Sequence, residues 1–529
     1  MSVVSYIFIA FLICTLFVYY IVPGKIQWIV LLVASLIFYG YAGLEYLGLV
    51  IVEAFIVYAF SMKMQKSLDE QAELTKDADR RAARKIKAVE KSKRKKYLVL
   101  ALVAVIGILV VFKGMGFVIQ NIKRFIPIQG LSSIPDWNII APMGVSFYSF
   151  MMISYLVDIY NGRISAQKNF VKYLTYAIYF PHVTQGPIAR YEEVGHQIWE
   201  QHRFHLDTVM NGVWLILWGA VKKVVIADRL GTFTAEIFGN VFDYRGSIFW
   251  FVGIAYSIQI YCDFSGCMDM MRGASECFGI TLGENFRRPY FSQTLPEFWR
   301  RWHISLGAFF REYVFYPVST SNLFLKMNVK VRKHLGNALG KVFAASIPIM
   351  CVWVLTGVWH GAKWNYIAWG VYHGILICMS TLFEQPIAIL TAKLKINTEC
   401  ISWSVFRMIR TFILCVIGRL IFMGGGIGSS VWMIKSGIIH FSQVYDLAVG
   451  FGITERGWMV ILFGCILLLA VSVAQEIRER MGLTETIRGW LMRQNMWLKW
   501  CVMMAGVLVI LVFGVYGSGT GVTFIYEQF

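Results

Sequence analysis

Charge is scarce in this sequence. Acidic and basic side chains together make up 15% of its 529 residues, against about 25% in ordinary soluble domains. A water-soluble globule of this length would also split into several cores, yet there is no Ser/Pro-rich linker and no evident repeat to separate them. Nor is there a polar stretch long enough to form a soluble catalytic domain. Paired cysteine spacings are missing too. The ten cysteines fall mostly inside apolar runs (Cys14, Cys351, Cys378, Cys415, Cys465, Cys501), which indicates neither a disulfide framework nor a zinc site. The first apolar run has no basic leader and no small-residue cleavage site, so it reads as a retained span rather than a signal peptide.

What is present is apolar length. Hydrophobic side chains reach 57% and aromatic ones 16%. The runs 3–22, 26–43, 97–112, 457–474 and 500–516 each approach the ~20 residues needed to cross ~30 Å of hydrocarbon. The pattern predicts an all-α polytopic membrane protein with about eleven crossings and shorter re-entrant helices. The net charge of +19 is not a nucleic-acid footprint. It sits in juxtamembrane loops, where basic residues set topology and meet anionic lipid headgroups. The segment 63–96 carries thirteen Lys/Arg against six Asp/Glu, which makes it cytoplasmic and predicts a solvated basic helix extending the third span. It either contacts lipid or docks a cytosolic partner. The basic loops 287–341 and 476–499 are placed on the same side. The tail 517–529 has no Lys or Arg and one acid, Glu527. Both termini are therefore expected outside.

Ionisable groups at membrane depth are costly and so are functional candidates. Two phrases concentrate them. One runs Asn285-Phe-Arg-Arg-Pro-Tyr-Phe-Ser-Gln-Thr-Leu-Pro-Glu-Phe-Trp-Arg-Arg-Trp-His303-Ile-Ser-Leu-Gly. Pro296 and Glu297 suit the first turn of a helix, and Arg300, Arg301 and His303 follow. The other runs Thr356-Gly-Val-Trp-His360-Gly-Ala-Lys-Trp-Asn365 at the end of an apolar run. There Gly357 and Gly361 flank Trp359-His360 and let backbone or substrate approach closely. A histidine in this setting is either a satisfied core residue or a catalyst.

These two phrases together resemble the membrane-bound O-acyltransferase (MBOAT) family, most closely its branch acting in alginate O-acetylation, with the teichoic-acid D-alanyl exporters as more distant relatives. Pro142-Met-Gly-Val-Ser-Phe-Tyr-Ser-Phe, Phe180-Pro-His-Val-Thr-Gln-Gly-Pro-Ile-Ala-Arg190 and Tyr261-Cys-Asp-Phe-Ser-Gly266 add to the likeness, which covers most of the chain. The resemblance implies a ring of tilted helices around a thin centre, where a cytoplasmic cavity meets an outer funnel. His360 would lie in that channel and His303 nearer its cytoplasmic mouth. Together with the charge pattern it divides the chain into 1–62 (N-terminal spans), 63–96 (basic cytoplasmic helix), 97–424 (catalytic core), 425–516 (C-terminal spans) and 517–529 (outer tail).

The chemistry expected is acyl transfer from a cytosolic thioester, acetyl-CoA, with no bound cofactor or metal. Arg287, Arg288, Arg300 and Arg301 either attract the donor's phosphates or serve as ordinary positive-inside charge. Neutral His360 acts as general base on an acceptor hydroxyl. Trp299, Trp302 and Trp359 wall the tunnel or simply pack, and Asn365 lies beside it. The tail ends Phe524-Ile-Tyr526-Glu-Gln-Phe529, similar to an ending found in the family's acetyl exporters. Tyr526 is thus either the acyl acceptor or an interfacial aromatic anchor. An acetyl group on a phenol whose pKa is ~10 keeps more transfer potential than a sugar ester. The last transfer, onto a cell-envelope polysaccharide, would need an extracytoplasmic serine-esterase-type acetyltransferase as partner.

The remaining polar residues read as structural. Asp269 is expected to pair with Arg272, three residues on, and Arg419 with a neighbouring helix. Gly186, Pro187 and Arg190 shape a re-entrant turn. His196, His202 and His205 lack the companions of a metal site. Two other readings stay open. One is a D-alanyl exporter for teichoic acid. The other is a non-catalytic transporter or flippase, although such a protein should show inverted repeats. The location in every case is the inner or plasma membrane.

Overall fold

A computed structural model describes residues 1–125, 137, 139–440, 453–483 and 485–516 of the chain. Among them there are helices and no strand beyond one isolated bridge, Phe286 to Trp302. Among the described residues eight helices are long and apolar enough to cross a membrane, and four shorter apolar ones accompany them: Tyr6–Ile21, Gly24–Gly40, Val145–Tyr160 and Ile427–Ile439. The protein is an all-α, multi-pass membrane protein, as its composition predicts. All ten cysteines are free thiols. The chain forms two compact units, one of Met1–Val213 with Met271–Gly283, the other of Trp214–Met270 with Glu284–Phe529.

In the first unit, the basic segment 63–96 is not a single helix. It is shared between Leu44–Thr75, of 32 residues, and Arg80–Leu109, of 30 residues. At 1.5 Å per residue each is about 45 Å or longer, more than the hydrocarbon thickness. Asp79 starts the second helix by accepting the Ala82 N–H at 2.6 Å. The two arms pair through Lys93 Nζ to Glu70 at 2.7 Å, Ser67 Oγ to Glu90 at 2.5 Å and Arg94 Nη2 to Gln71 at 3.0 Å. Thus Lys93, Arg94 and Ser67 meet a neighbouring helix, while most of the Lys and Arg of the segment are exposed, as its composition predicts. Deeper in this unit, Val145–Tyr160 is buried on nearly every side. Its entry turn needs glycine at Gly144, where φ is +72° and a Cβ would stand 2.2 Å from the Val183 carbonyl oxygen. Buried Glu53 accepts the Ser149 hydroxyl at 2.8 Å. His202 meets the Tyr19 hydroxyl at 2.9 Å.

The second unit carries a buried ionic cluster beside a widened helical turn, Val221–Ala227. The Lys223 ammonium lies 2.5 Å from Asp263 and 2.7 Å from Asp228. Lys222 lies 2.6 Å from Asp269 and 3.0 Å from Ser265 Oγ. Asp269 is thus reached by a lysine 47 positions away, a contact that spacing along its own helix does not announce. Charges buried this deeply persist only when paired, and the pairing ties Leu206–Gly239 to Ile248–Cys277.

Candidate active site

The first motif folds as two seven-residue helices, Leu295–Arg301 and Ile304–Phe310. The start follows from local chemistry. Thr294 caps the first helix by accepting the Glu297 N–H at 3.2 Å, Pro296 occupies the first turn, and the Glu297 carboxylate accepts the Gln293 N–H at 2.9 Å. The helix ends at Trp302, and His303 turns the chain with a left-handed backbone, φ +47°. Such a conformation is uncommon for a residue with a Cβ and costs about 1–3 kcal/mol. Asn285 holds it in place. Its carbonyl accepts the Ile304 N–H at 3.0 Å, and its Oδ1 accepts the Ser305 N–H at 2.9 Å and lies 3.4 Å from His303 Nδ1. Phe264 packs edge-on against the imidazole at 4.7 Å between centroids. The ring lies outside the eight apolar spans, and burial pushes its pKa down to about 3, so it is neutral at pH 7.

His360 ends the helical run Asn322–His360, which is kinked at Gly336 where φ is +77°. Its position is set by main-chain contact with the next helix, Trp364–Lys393. A Cβ on Gly357 would meet the Tyr366 carbonyl oxygen at 2.5 Å, and one on Gly370 would meet that of Trp353 at 2.3 Å. Small residues at these points let the two helices touch backbone to backbone. The approach permitted at Gly357 is therefore one between protein backbones. The His360 ring packs edge-to-face on Trp369 at 5.0 Å and Phe422 at 5.2 Å, with Trp359 at 4.7 Å.

Both histidines border one cavity of about 500 Å³ within the second unit. Trp299, Trp302 and Arg300 line it as well, together with Arg311, Trp353, Trp369, Arg419 and Phe422. Trp359 bridges the pair from behind, its ring 5.9 Å from His303. Asn365 is buried one step away and donates to the Phe422 carbonyl at 2.7 Å. The four arginines of the first motif separate here. Arg301 is engaged by Glu297 at 2.8 Å and Glu476 at 3.2 Å. Arg288 is engaged by Glu476 at 2.9 Å and by Glu479, and Arg287 lies 3.4 Å from Glu284. Only Arg300 of the four is at the cavity. Tyr526 lies outside the described residues. No group of three or more His, Cys, Asp or Glu among the described residues could hold a metal ion.

Reading the motifs did not find Trp353, Trp369, Phe422 or the face of Arg419. Their signal was an ordinary apolar helix, apart from the charge of Arg419. That residue does lean on another element, but the contact is the ring of Trp302, 4.6 Å from the guanidinium carbon.

A sequence profile of the membrane-bound O-acyltransferase family matches residues 36–329, a stretch that includes His303. The chain is 32% identical over 405 residues to the probable alginate O-acetylase AlgI of Pseudomonas syringae pv. tomato, covering 76% of this chain and 68% of the relative. It is 27% identical over 384 residues to the peptidoglycan O-acetyltransferase of Helicobacter pylori, covering 68% and 64%. With the teichoic acid D-alanyltransferase of Bacillus subtilis it shares 28% over 256 residues, 47% of this chain and 62% of the relative. On its helices, its paired motifs and these matches, the chain belongs to the membrane-bound O-acyltransferase family and is a multi-pass membrane acyltransferase.

Proposed function

We propose that this acyltransferase takes an acetyl group from a cytosolic thioester, acetyl-CoA, and hands it outward for O-acetylation of a cell-envelope polysaccharide. The observation that carries the reading is the pair of buried histidines on one tryptophan-walled cavity. The acceptor hydroxyl loses its proton to a neutral imidazole nitrogen of His360 as its oxygen attacks the thioester carbonyl carbon. The C–O bond forms, the C–S bond breaks, and the thiolate leaves with a proton returned from the imidazolium. His303, neutral and held by Asn285, adds no charge of its own to the cavity. Arg300, the motif arginine on the cavity wall, meets a donor phosphate in this scheme. Tyr526 is the acceptor in this scheme, on an outer tail, with the N-terminus also outside. A separate extracytoplasmic serine-esterase-type acetyltransferase completes the transfer to sugar.

Acetyl rather than D-alanyl is favoured by the greater identity and coverage of the acetylase relatives. The test is radiolabelled acetyl-CoA given to the full-length protein in lipid nanodiscs, with mass spectrometry of the tail. Wild type should release CoA and gain 42 Da, the mass of an added acetyl group, on Tyr526, while His360→Ala should lose about 10²–10⁴-fold in rate and remain folded. Full activity in His360→Ala would sink the reading. Acetyl elsewhere than on Tyr526 would remove the tail from it.

A further inference from the structure

One buried cation at the cavity has no task in this scheme. Arg419 lies one turn before the end of Ile401–Met423, is 4% exposed, and lines the same cavity as His303 and His360. Its Nε and Nη2 have no hydrogen-bond partner among the described residues. The Trp302 ring face at 4.6 Å returns part of the lost hydration by cation–π attraction. A ring cannot accept the in-plane hydrogen bonds of a guanidinium fork, however. A cation buried with donors unused is expensive unless something arrives to use them. What it lacks is an oxygen carrying negative charge, and the cavity it borders is where such an oxygen would form during acyl transfer.

Resting on the acyltransferase reading above, we propose that Arg419 is a catalytic residue that takes the acyl oxygen of the thioester donor on its guanidinium. As the acceptor oxygen bonds to the carbonyl carbon, the C=O π pair moves onto the acyl oxygen. The guanidinium donates an N–H to that oxyanion. The pair then returns to remake C=O as the C–S bond breaks, and the thiolate leaves. The proton passes through His360 as before, and Arg419 neither gains nor loses one. A donor phosphate is the other anion a guanidinium takes. It differs in kinetic signature, because phosphate binding acts equally on ground and transition states.

The test is steady-state acetyl transfer from acetyl-CoA by the full-length protein in nanodiscs, alongside its thermal unfolding midpoint. Arg419→Lys keeps the charge and loses the fork. Arg419→Met removes the charge and keeps the apolar bulk. The expected result is a kcat lower by about 10²-fold or more in Arg419→Met, an intermediate loss in Arg419→Lys, and a KM for acetyl-CoA within about threefold of wild type. The midpoint of Arg419→Met should equal or exceed that of wild type, since an unpartnered buried charge has been removed. That opposition of stability and rate is something a purely structural arginine would not give. Three results overturn the assignment: unchanged kcat, a raised KM at unchanged kcat (a phosphate site), or loss of folded protein in both variants. Failure of the acetyl reading itself is seen separately, as absence of CoA release by the wild type.

Discussion

Two sets of buried cations in the second unit behave differently. Lys222 and Lys223 lie beside three aspartates at 2.5–2.7 Å. Arg419 has an aromatic face and an open cavity instead. The difference separates charges that hold helices together from a charge kept available. In the lysine cluster each charge is answered within the protein, so removing a partner should be felt as lost stability. At the cavity the answer comes from outside, so removing the cation should be felt as lost rate.

The comparison can be broken first at the lysines. Asp263→Ala should lower stability by about 3–5 kcal/mol, because it strips one carboxylate from a buried ammonium. Fluorescence-detected size exclusion after a heat step would show this as loss of the monodisperse peak, and a midpoint equal to wild type would dissolve the distinction. A smaller effect is expected where His360 is anchored. Gly357→Ala pushes a Cβ to 2.5 Å from the Tyr366 carbonyl, with about 1–3 kcal/mol of overpacking and a fall in acyl-transfer rate of about 10–100-fold through displaced geometry. Unchanged rate would mean that the helix contact does not position the imidazole. The smallest effect concerns acid. His303 titrates at about 3 when folded and near 6.5 when unfolded, so the unfolded chain binds the extra proton first. Its contribution to stability is therefore intact above about pH 6.5 and declines as pH falls towards 3. Between pH 7.5 and 5.0 the unfolding midpoint should drop more in wild type than in His303→Gln, as read by a thermal shift series. Equal drops would show that His303 is not the group responsible.

Much of this architecture was legible because it rests on local rules. Apolar length marks the spans. Thr294, Pro296 and Glu297 announce the motif helix, and the glycines around His360 announce a close approach. The unread parts are choices among distant partners. Nothing near Asp269 in sequence points to Lys222, and Arg419 gives no sign that Trp302 is its neighbour. The basic segment 63–96 was legible in part: most of its Lys and Arg are exposed, but its division into two arms, where Glu70, Gln71 and Glu90 meet Lys93, Arg94 and Ser67, had only Asp79 as a local sign. Arg300 and Arg301 are neighbours in sequence, yet one faces the cavity and the other an acidic pair.

The backbone contact between the helix of Gly357 and that of Gly370 limits how the cavity can change size. Carbonyl groups pressed where side chains would usually sit cannot swap rotamers to make room, so this wall behaves as a rigid jamb. Any widening for a bulkier acyl chain must come from the indole rings or from the two short helices around His303. The size of acyl group accepted would then be a matter of which tryptophan can swing.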